Sequence, residues 1–339
     1  MKSKNLAAGL LLGLLALPHL VGQTPATASR PARPPRGPYT GKDIAGTVEL
    51  PEMDSKVLGK KVRYGVYLPP GYKDPANAQT RYPIIHYLHG LFEDSSSWMR
   101  RGAPMFDAAI REKKIPPVIV IVPDAGHTFY SDRLDGKLPY ATFFIQEFVP
   151  WADKAYRTTG RREERLVAGS SMGGFGALRF AFKNSQLFGA VVVHCPAILP
   201  ETPADLSPRG QRVMSMLQQE EILQNIFGDP IDMDLWNAAN PLSLAQTADL
   251  SPGLGIYCDC GESDSYGFDE TCRAFDAALT KRNIPHEFAI RPGGHGWGFV
   301  TSAFPHSIEF INKQLKAAST KTAPAPQKKA EAGTATRGS

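Results

Sequence analysis

The stretch RLVAGSSMGGFGALRFAF, residues 165–182, contains the pattern on which the fold prediction depends. Its first part, RLVAGSS, is an apolar run typical of a buried strand, and its last part, FGALRFAF, has the spacing of an amphipathic helix. The turn between them carries glycines at 169 and 173, two residues on either side of Ser171. A strand, a tight glycine turn and a helix in this order predict an elbow that exposes Ser171 at the end of the strand.

Further apolar runs, bounded by turn residues, predict strands on both sides of this elbow. Several of them are apolar on both faces, which is typical of parallel strands covered by helices. The predicted strands are 60–72, 83–90, 116–126, 165–171, 188–197, 254–261 and 286–295. The predicted helices are 104–115, 142–156, 175–184, 269–283 and 301–318. We therefore expect an α/β fold with a mostly parallel central sheet and helices on both of its faces.

The stretch 198–250 has no obvious strand, and its middle, 209–228, has helical periodicity. In a parallel sheet, an insertion after a central strand lies over the carboxyl ends of the strands, where ligands bind. We therefore predict that 198–250 is a lid or an insertion that shapes the substrate site.

A serine hydroxyl needs a neighbouring base to act as a nucleophile at neutral pH, and histidine is the usual one. Of the eight histidines, His295 alone follows the last predicted strand in a glycine-rich loop, PGGHGWG, directly before the final helix. This is the place of the base when the chain order is serine, acid, histidine. Ser170 is a second candidate nucleophile, but only Ser171 has a glycine two residues away on both sides.

The acid that orients the histidine is expected in CDCGESDSYG, residues 258–267. Asp259 lies within the strand pattern, and Glu262 follows Gly261 immediately. Asp264 has the favoured loop position, and Glu262 is the alternative.

Two backbone amides are expected to bind the oxyanion of a tetrahedral intermediate. One belongs to Met172, directly after the nucleophile, and the other to Leu91 in the loop after an early strand, with Phe92 as the alternative. We interpret His89 as a structural partner that holds this loop.

The two ends of the chain differ in composition from its middle. Basic residues followed by an apolar run and small residues predict a signal peptide over 1–28, and therefore a secreted or periplasmic protein. The apolar run of about twelve residues is short for a membrane span, which needs about 20. A Pro- and Arg-rich linker is predicted over 29–42, a folded domain over 43–316 and a disordered basic tail over 317–339.

The net charge of +5 arises from these ends, which together carry +9 and leave −4 for residues 41–315. The middle of the chain therefore has no basic excess that would indicate nucleic-acid binding. We expect no nucleic-acid partner, no membrane span and no cofactor, because serine–histidine–acid chemistry needs none. The oligomeric state stays open.

Four cysteines, Cys195, Cys258, Cys260 and Cys272, are compatible with export. A bridge from Cys272 to Cys258 or Cys260 is one reading, and buried free thiols are the other. Their spacing relative to His286 and His295 matches no pattern of metal ligands, so the sequence predicts no metal site.

Six stretches of the chain match a known family in the order in which that family has them. They are YLPPGY (67–72), YLHGLFEDSSSW (87–98), FFIQEFVPWADKAYRT (143–158), AGSSMGGFGAL (168–178), CGESD (260–264) and PGGHGWGFV (292–300). Across residues 45–315 the chain therefore resembles the esterase-D-like branch of the α/β-hydrolases, which includes feruloyl and acetylxylan esterases, enterochelin esterases, S-formylglutathione hydrolases and mycolyltransferases.

The resemblance implies the same three site residues, and it implies that the stretch 124–140 borders the substrate. Tyr130 and Asp132 are the candidates there, and Trp297 is a candidate wall of the acyl pocket. Phe92 is a further candidate substrate-binding residue. The expected function is hydrolysis of an ester, such as a feruloyl or acetyl group on a polysaccharide. An acyltransferase that uses the same residues and a carbohydrate-binding relative without catalysis are the alternatives.

Overall fold

The computed structural model describes residues 44–205, 207–251 and 253–320. The predicted signal peptide (1–28) and linker (29–42) lie outside these residues, and so does 321–339. Residues 317–320, which were predicted as the start of the tail, belong to the last helix. Within the described ranges, no helix is both long enough and apolar enough to cross a bilayer.

Nine strands form one sheet in the described part of the chain, in the order β1-β3-β5-β4-β6-β7-β8-β9, with β2 paired to β3. They are β1 Thr47–Glu49, β2 Glu52–Ser55, β3 Lys60–Leu68, β4 Ile84–Leu88, β5 Ile119–Pro123, β6 Arg165–Ser170, β7 Ala190–His194, β8 Gly255–Gly261 and β9 Glu287–Arg291. All pairings among β4 to β9 are parallel, whereas β3 runs antiparallel to β5. The mostly parallel sheet predicted from the sequence is therefore confirmed.

Helices connect these strands. They are α1 Ser95–Arg111, α2 Tyr140–Thr142, a π-helical segment Phe143–Phe148, α3 Val149–Ala155, α4 Met172–Lys183, α5 Pro208–Gln219, α6 Ile222–Phe227, α7 Met233–Ala239, α8 Pro241–Thr247, α9 Phe268–Lys281 and α10 Trp297–Thr320. Single 3₁₀ turns lie at Pro75–Asn77, Arg162–Glu164 and Pro203–Asp205. The predicted insertion contains α5 to α8, between β7 and β8.

The central strands are buried on both faces because successive side chains point to opposite sides of the sheet. On β6, Val167 belongs to one apolar cluster and Leu166 to the other. The first cluster includes Phe175 of α4, and the second includes Trp98 of α1 and Ile311 of α10. Helices therefore cover both faces, as predicted.

Candidate active site

The turn between β6 and α4 holds Ser171 in a strained conformation, with φ 55° and ψ −121°. Glycines make this turn possible. A Cβ on Gly173 would lie 1.9 Å from the carbonyl oxygen of Leu88, and one on Gly169 would lie 2.4 Å from the carbonyl carbon of Gly173. Only glycine allows backbones to approach so closely, so the two glycines fix Ser171 at the carboxyl end of β6.

A chain of hydrogen bonds joins the side chains of Ser171, His295 and Asp264. The Nε2 atom of His295 lies 3.0 Å from the Oγ atom of Ser171, and its Nδ1 atom lies 2.7 Å from the Oδ2 atom of Asp264. An ionised carboxylate only accepts hydrogen bonds, so Nδ1 carries the proton and Nε2 is free to accept from the serine hydroxyl. The fold thus brings together the three residues that the sequence placed at this site.

Asp264 and His295 stabilise each other's charged form. Burial raises the pKa of Asp264, but the hydrogen bond and charge of His295 and the amide of Tyr266 outweigh it and hold this pKa below its usual value. For His295, burial lowers the pKa of the imidazole, whereas the contacts with Asp264 and Cys195 raise it above its usual value. An imidazolium that forms during proton transfer would be stabilised in this arrangement.

The other acidic residues considered for this role lie elsewhere. Glu262 is exposed, and its backbone amide donates to the carbonyl oxygen of Arg291. Asp259 is buried and contacts the Nδ1 atom of His194 at 2.7 Å. Asp264 is therefore the carboxylate that contacts His295.

The loop after β4 is fixed next to Ser171. The Nε2 atom of His89 accepts from the amide of Ala125 at 2.9 Å, which anchors the loop to the segment after β5. Leu91 from this loop and Met172 from the start of α4 both line the cavity at Ser171. The first amides of a helix have no acceptor in their own helix, so the amide of Met172 is available to an oxyanion.

Tyr130 and Asp132 do not border the cavity, contrary to the prediction. Tyr130 is fully buried, and its hydroxyl donates to the carbonyl oxygen of His89 at 2.9 Å. Asp132 accepts from the amide and the hydroxyl of Thr142. The reason is the backbone: Phe129 and Tyr130 both have positive φ, and this turn leaves Phe129 at the cavity wall while Tyr130 supports the loop after β4.

Glu93 is a site residue that the sequence analysis missed. Its Oε2 atom accepts from the amide of Gly90 at 3.0 Å, and its Oε1 atom accepts from the Nε1 atom of Trp297 at 2.5 Å and from Arg101 at 3.3 Å. Glu93 therefore ties the loop after β4 to the segment that carries His295. Nothing in its sequence context distinguishes it from a surface glutamate.

A cavity of about 170 Å³ lies at Ser171, and its walls are mostly apolar. Trp297, the predicted wall of the acyl pocket, and Phe92, a predicted substrate-binding residue, both line it. The insertion also contributes, because Val213 and Met216 of α5 form part of the wall. The inserted helix therefore lies over the carboxyl ends of the strands, where the sequence analysis expected it.

A mostly parallel sheet, a serine elbow after a central strand, and an acid and a histidine on later loops define the α/β-hydrolase class. The family model described as "Putative esterase" matches residues 55–311. This match covers well over half of the chain, and the chain belongs to this esterase family.

Individual relatives agree with the family. Esterase Rv1288 of Mycobacterium tuberculosis is 28% identical over 79% of this chain and 59% of its own length, so the chain spans less than two thirds of that relative. The endo-1,4-beta-xylanase/feruloyl esterase of Xylanibacter ruminicola is 32% identical over 44% of this chain and 21% of its own. A solved ferulic acid esterase has a TM-score of 0.64 and 26% identity, and it covers 80% of this chain and 99% of its own.

Proposed function

We propose that this protein is a secreted or periplasmic serine-type carboxylic ester hydrolase with Ser171 as nucleophile, His295 as base and Asp264 as supporting acid. The observation that carries the proposal is the chain of hydrogen bonds from Asp264 through His295 to Ser171, at the wall of an apolar cavity. Membership of an esterase family supports the same chemistry.

The reaction follows from these contacts. Ser171 Oγ attacks the ester carbonyl carbon while His295 Nε2 takes the hydroxyl proton. The amides of Met172 and Leu91 stabilise the negative oxygen of the tetrahedral intermediate. When this intermediate collapses, the alcohol leaves with the proton from His295. Water, deprotonated by His295, then attacks the acyl-enzyme, and the acid and free Ser171 are released.

The proposed substrate carries a compact acyl group, such as a feruloyl or acetyl group on a polysaccharide. An apolar cavity of about 150 Å³ is enough to hold a benzene ring, so a cavity of about 170 Å³ accommodates one aromatic ring. The exposed ring of Phe92, 62% accessible, offers a surface next to the cavity on which a sugar can pack. The names of the xylanase/feruloyl esterase and the ferulic acid esterase support this substrate class.

Labelling with a fluorophosphonate tests the nucleophile without knowledge of the natural ester. We expect one covalent adduct on the wild-type protein and none on Ser171→Ala. Ser170→Ala is the matched control, because it removes the neighbouring hydroxyl, and it should keep both the adduct and most of the turnover. An adduct on Ser171→Ala would disprove the assignment.

A panel of esters then tests the assignment of Asp264 as the supporting acid and the substrate class. The panel contains acetyl and longer nitrophenyl esters, methyl ferulate and acetylated xylan. Asp264→Asn should lower kcat by on the order of 10³- to 10⁴-fold, because the amide no longer holds the imidazole in the required tautomer. Glu262→Gln should keep wild-type turnover. The reverse ranking would make Glu262 the supporting acid.

A further inference from the structure

Two buried thiols lie beside the Asp264–His295 pair. Cys195 directly follows β7, and Cys260 lies on the adjacent strand β8. The amide of Cys195 donates to the carbonyl oxygen of Asp259 at 2.7 Å, which holds the ends of the two strands together. Both thiols are free and at most 1% exposed, and the mechanism above uses neither of them.

Three potential metal ligands converge at this place. The Sγ atoms of Cys195 and Cys260 and a carboxylate oxygen of Asp264 all lie within 4.8 Å of one another, and Cys260 Sγ is 3.5 Å from Asp264 Oδ2. Zinc–sulfur bonds of about 2.3 Å in a tetrahedral site separate two sulfurs by about 3.8 Å. A movement of about 1 Å or less is therefore enough to bring these ligands around one ion.

We propose that Cys195, Cys260 and Asp264 form a binding site for a thiophilic divalent cation, such as Zn²⁺ or Cd²⁺, whose binding inactivates the enzyme. Two sulfurs and one oxygen suit such ions. Each thiol releases its proton to solvent as its bond to the metal forms, and water can fill the fourth position. Cys195 lines the active-site cavity, which gives the ion and that water a route to the site.

Inactivation follows from the shared carboxylate. The Oδ2 atom of Asp264 accepts from His295 Nδ1 at 2.7 Å, and the same oxygen lies 3.5 Å from the Sγ atom of Cys260. An ion bound there competes with His295 for this oxygen. His295 also contacts the side chain of Cys195, so the ion changes the imidazole's surroundings on two sides.

Titration of the full-length protein with Cd²⁺ tests the site. The protein is kept reduced under inert gas, and two quantities are followed in the same samples. Ultraviolet charge-transfer absorption reports Cd²⁺–thiolate bonds, and hydrolysis of a short-chain nitrophenyl ester reports activity. Because the absorption requires no turnover, metal binding is tested even if the proposed hydrolysis is wrong.

We expect one equivalent of Cd²⁺ to produce the absorption and to abolish turnover in parallel, with both effects reversed by a chelator. Cys195→Ser and Cys260→Ser should each weaken Cd²⁺ binding by at least about tenfold. Cys258→Ser is the matched control, since it removes another buried thiol from β8, and it should bind Cd²⁺ as the wild type does. Thermal unfolding checks that each variant is folded, and Cys195→Ala replaces Cys195→Ser if that variant is not.

The proposal is wrong if the wild-type protein shows no thiolate absorption, if the absorption survives in Cys195→Ser, or if binding leaves turnover unchanged. Loss of the absorption in Cys258→Ser alone would assign the ion to other thiols and would equally refute the proposed ligand set.

Discussion

At the scale of single residues, the position of Ser171 depends on the absence of a side chain at Gly169 and at Gly173. The carbonyl oxygen of Leu88 occupies the space that a side chain at Gly173 would need. This contact lies between β4 and the first turn of α4, in the region that holds both of the proposed oxyanion amides. The close backbone packing at Gly173 therefore also fixes the geometry of the site around Ser171.

Gly173→Ala tests this contact. A methyl group 1.9 Å from a backbone oxygen forces the elbow to move, and we expect a loss of about 1–3 kcal/mol in the free energy of unfolding, together with a large drop in kcat. Gly298→Ala in α10 is the control, because the space around its Cβ position is open, and it should keep wild-type stability and turnover. Urea unfolding and ester hydrolysis measure the two effects, and equal behaviour of the two variants would contradict this explanation.

Glu93→Gln tests the connection between the loop after β4 and Trp297. A glutamine has one acceptor oxygen, so it cannot accept from Gly90 and Trp297 with two carboxylate oxygens as Glu93 does. We expect kcat to fall by about tenfold with a smaller change in KM, since the loop carries the proposed oxyanion amide of Leu91. The exposed Glu220→Gln should behave as the wild type. An unchanged kcat in Glu93→Gln would show that turnover does not need the contacts of Glu93 with Gly90 and Trp297.

The residues whose positions could be predicted are those that chain order and turn chemistry bring to the site. Ser171, His295 and Asp264 each follow a strand at a position that the sequence pattern marks. Tyr130 and Glu93 could not be placed, because the direction of their side chains depends on loop backbones with positive φ, at Tyr130 itself and at Phe92 beside Glu93. Apolar periodicity carries no information about such loops.

At the scale of elements, α5 is attached to the loop that carries Asp264. Arg209 donates to the carbonyl oxygen of Asp264 at 2.8 Å and forms ion pairs with Asp269 and Glu270 at the start of α9. Val213 and Met216 of the same helix line the cavity. The helix therefore couples the shape of the cavity to the loop of the acid.

Arg209→Ala should loosen this attachment. We expect KM for an ester to rise by about threefold to tenfold, because one wall of the cavity becomes mobile, while the stability of the whole protein changes little since the ion pairs are partly exposed. Arg212→Ala removes an exposed arginine from the next turn and is the control. Steady-state kinetics separate the two variants, and an equal KM in both would rule out this role for Arg209.

Element boundaries were predicted less well than the elements themselves. The helix expected from Pro104 begins at Ser95, where Asp94 and Ser97 form a reciprocal cap, and Pro104 lies inside α1. Proline favours the first turn of a helix, which is why the sequence indicated a start there. The edge strands β1 and β2 were missed because they are short and carry few apolar residues.

At the scale of the whole molecule, the core contains a histidine whose ring has no hydrogen-bond partner among the described residues. His86 on β4 is fully buried among Phe144, Phe148 and Phe188, and neither ring nitrogen has a hydrogen-bond partner among the described residues. Burial, and secondarily the charge of Arg165, lowers the pKa of His86 to about 3. The folded protein therefore keeps this ring neutral in mild acid.

His86 should make the fold sensitive to acid. The unfolded chain binds a proton at His86 near pH 6.5, whereas the folded chain does not until about pH 3, so stability falls as the pH decreases between these values. We expect His86→Leu to gain up to about 1.4 kcal/mol per pH unit over the wild type below pH 6.5. His306→Leu, which removes an exposed histidine, is the control. Urea unfolding from pH 7 to pH 4.5 measures the free energy of unfolding of each variant. If His86→Leu differs from the wild type by the same free energy at every pH, His86 is not the source of the acid sensitivity.

The global arrangement could be predicted because strands apolar on both faces require helices on both sides. The proximity of Cys195 to Cys260 could not, since it depends on which strands become neighbours. Apolar patterning indicates which segments are strands but not their order in the sheet. The register that sets His194 opposite Asp259 is therefore visible only in the structure.

The site is assembled from distant parts of the chain, since the bond between Ser171 and His295 joins residues 124 positions apart. During refolding, helices form from neighbouring residues, whereas this bond requires β6, β7, β8 and β9 to be in register. Recovery of turnover therefore reports the final closure of the sheet rather than the return of secondary structure. A refolding intermediate with nearly all its helices formed would therefore still show no activity in an ester-hydrolysis assay.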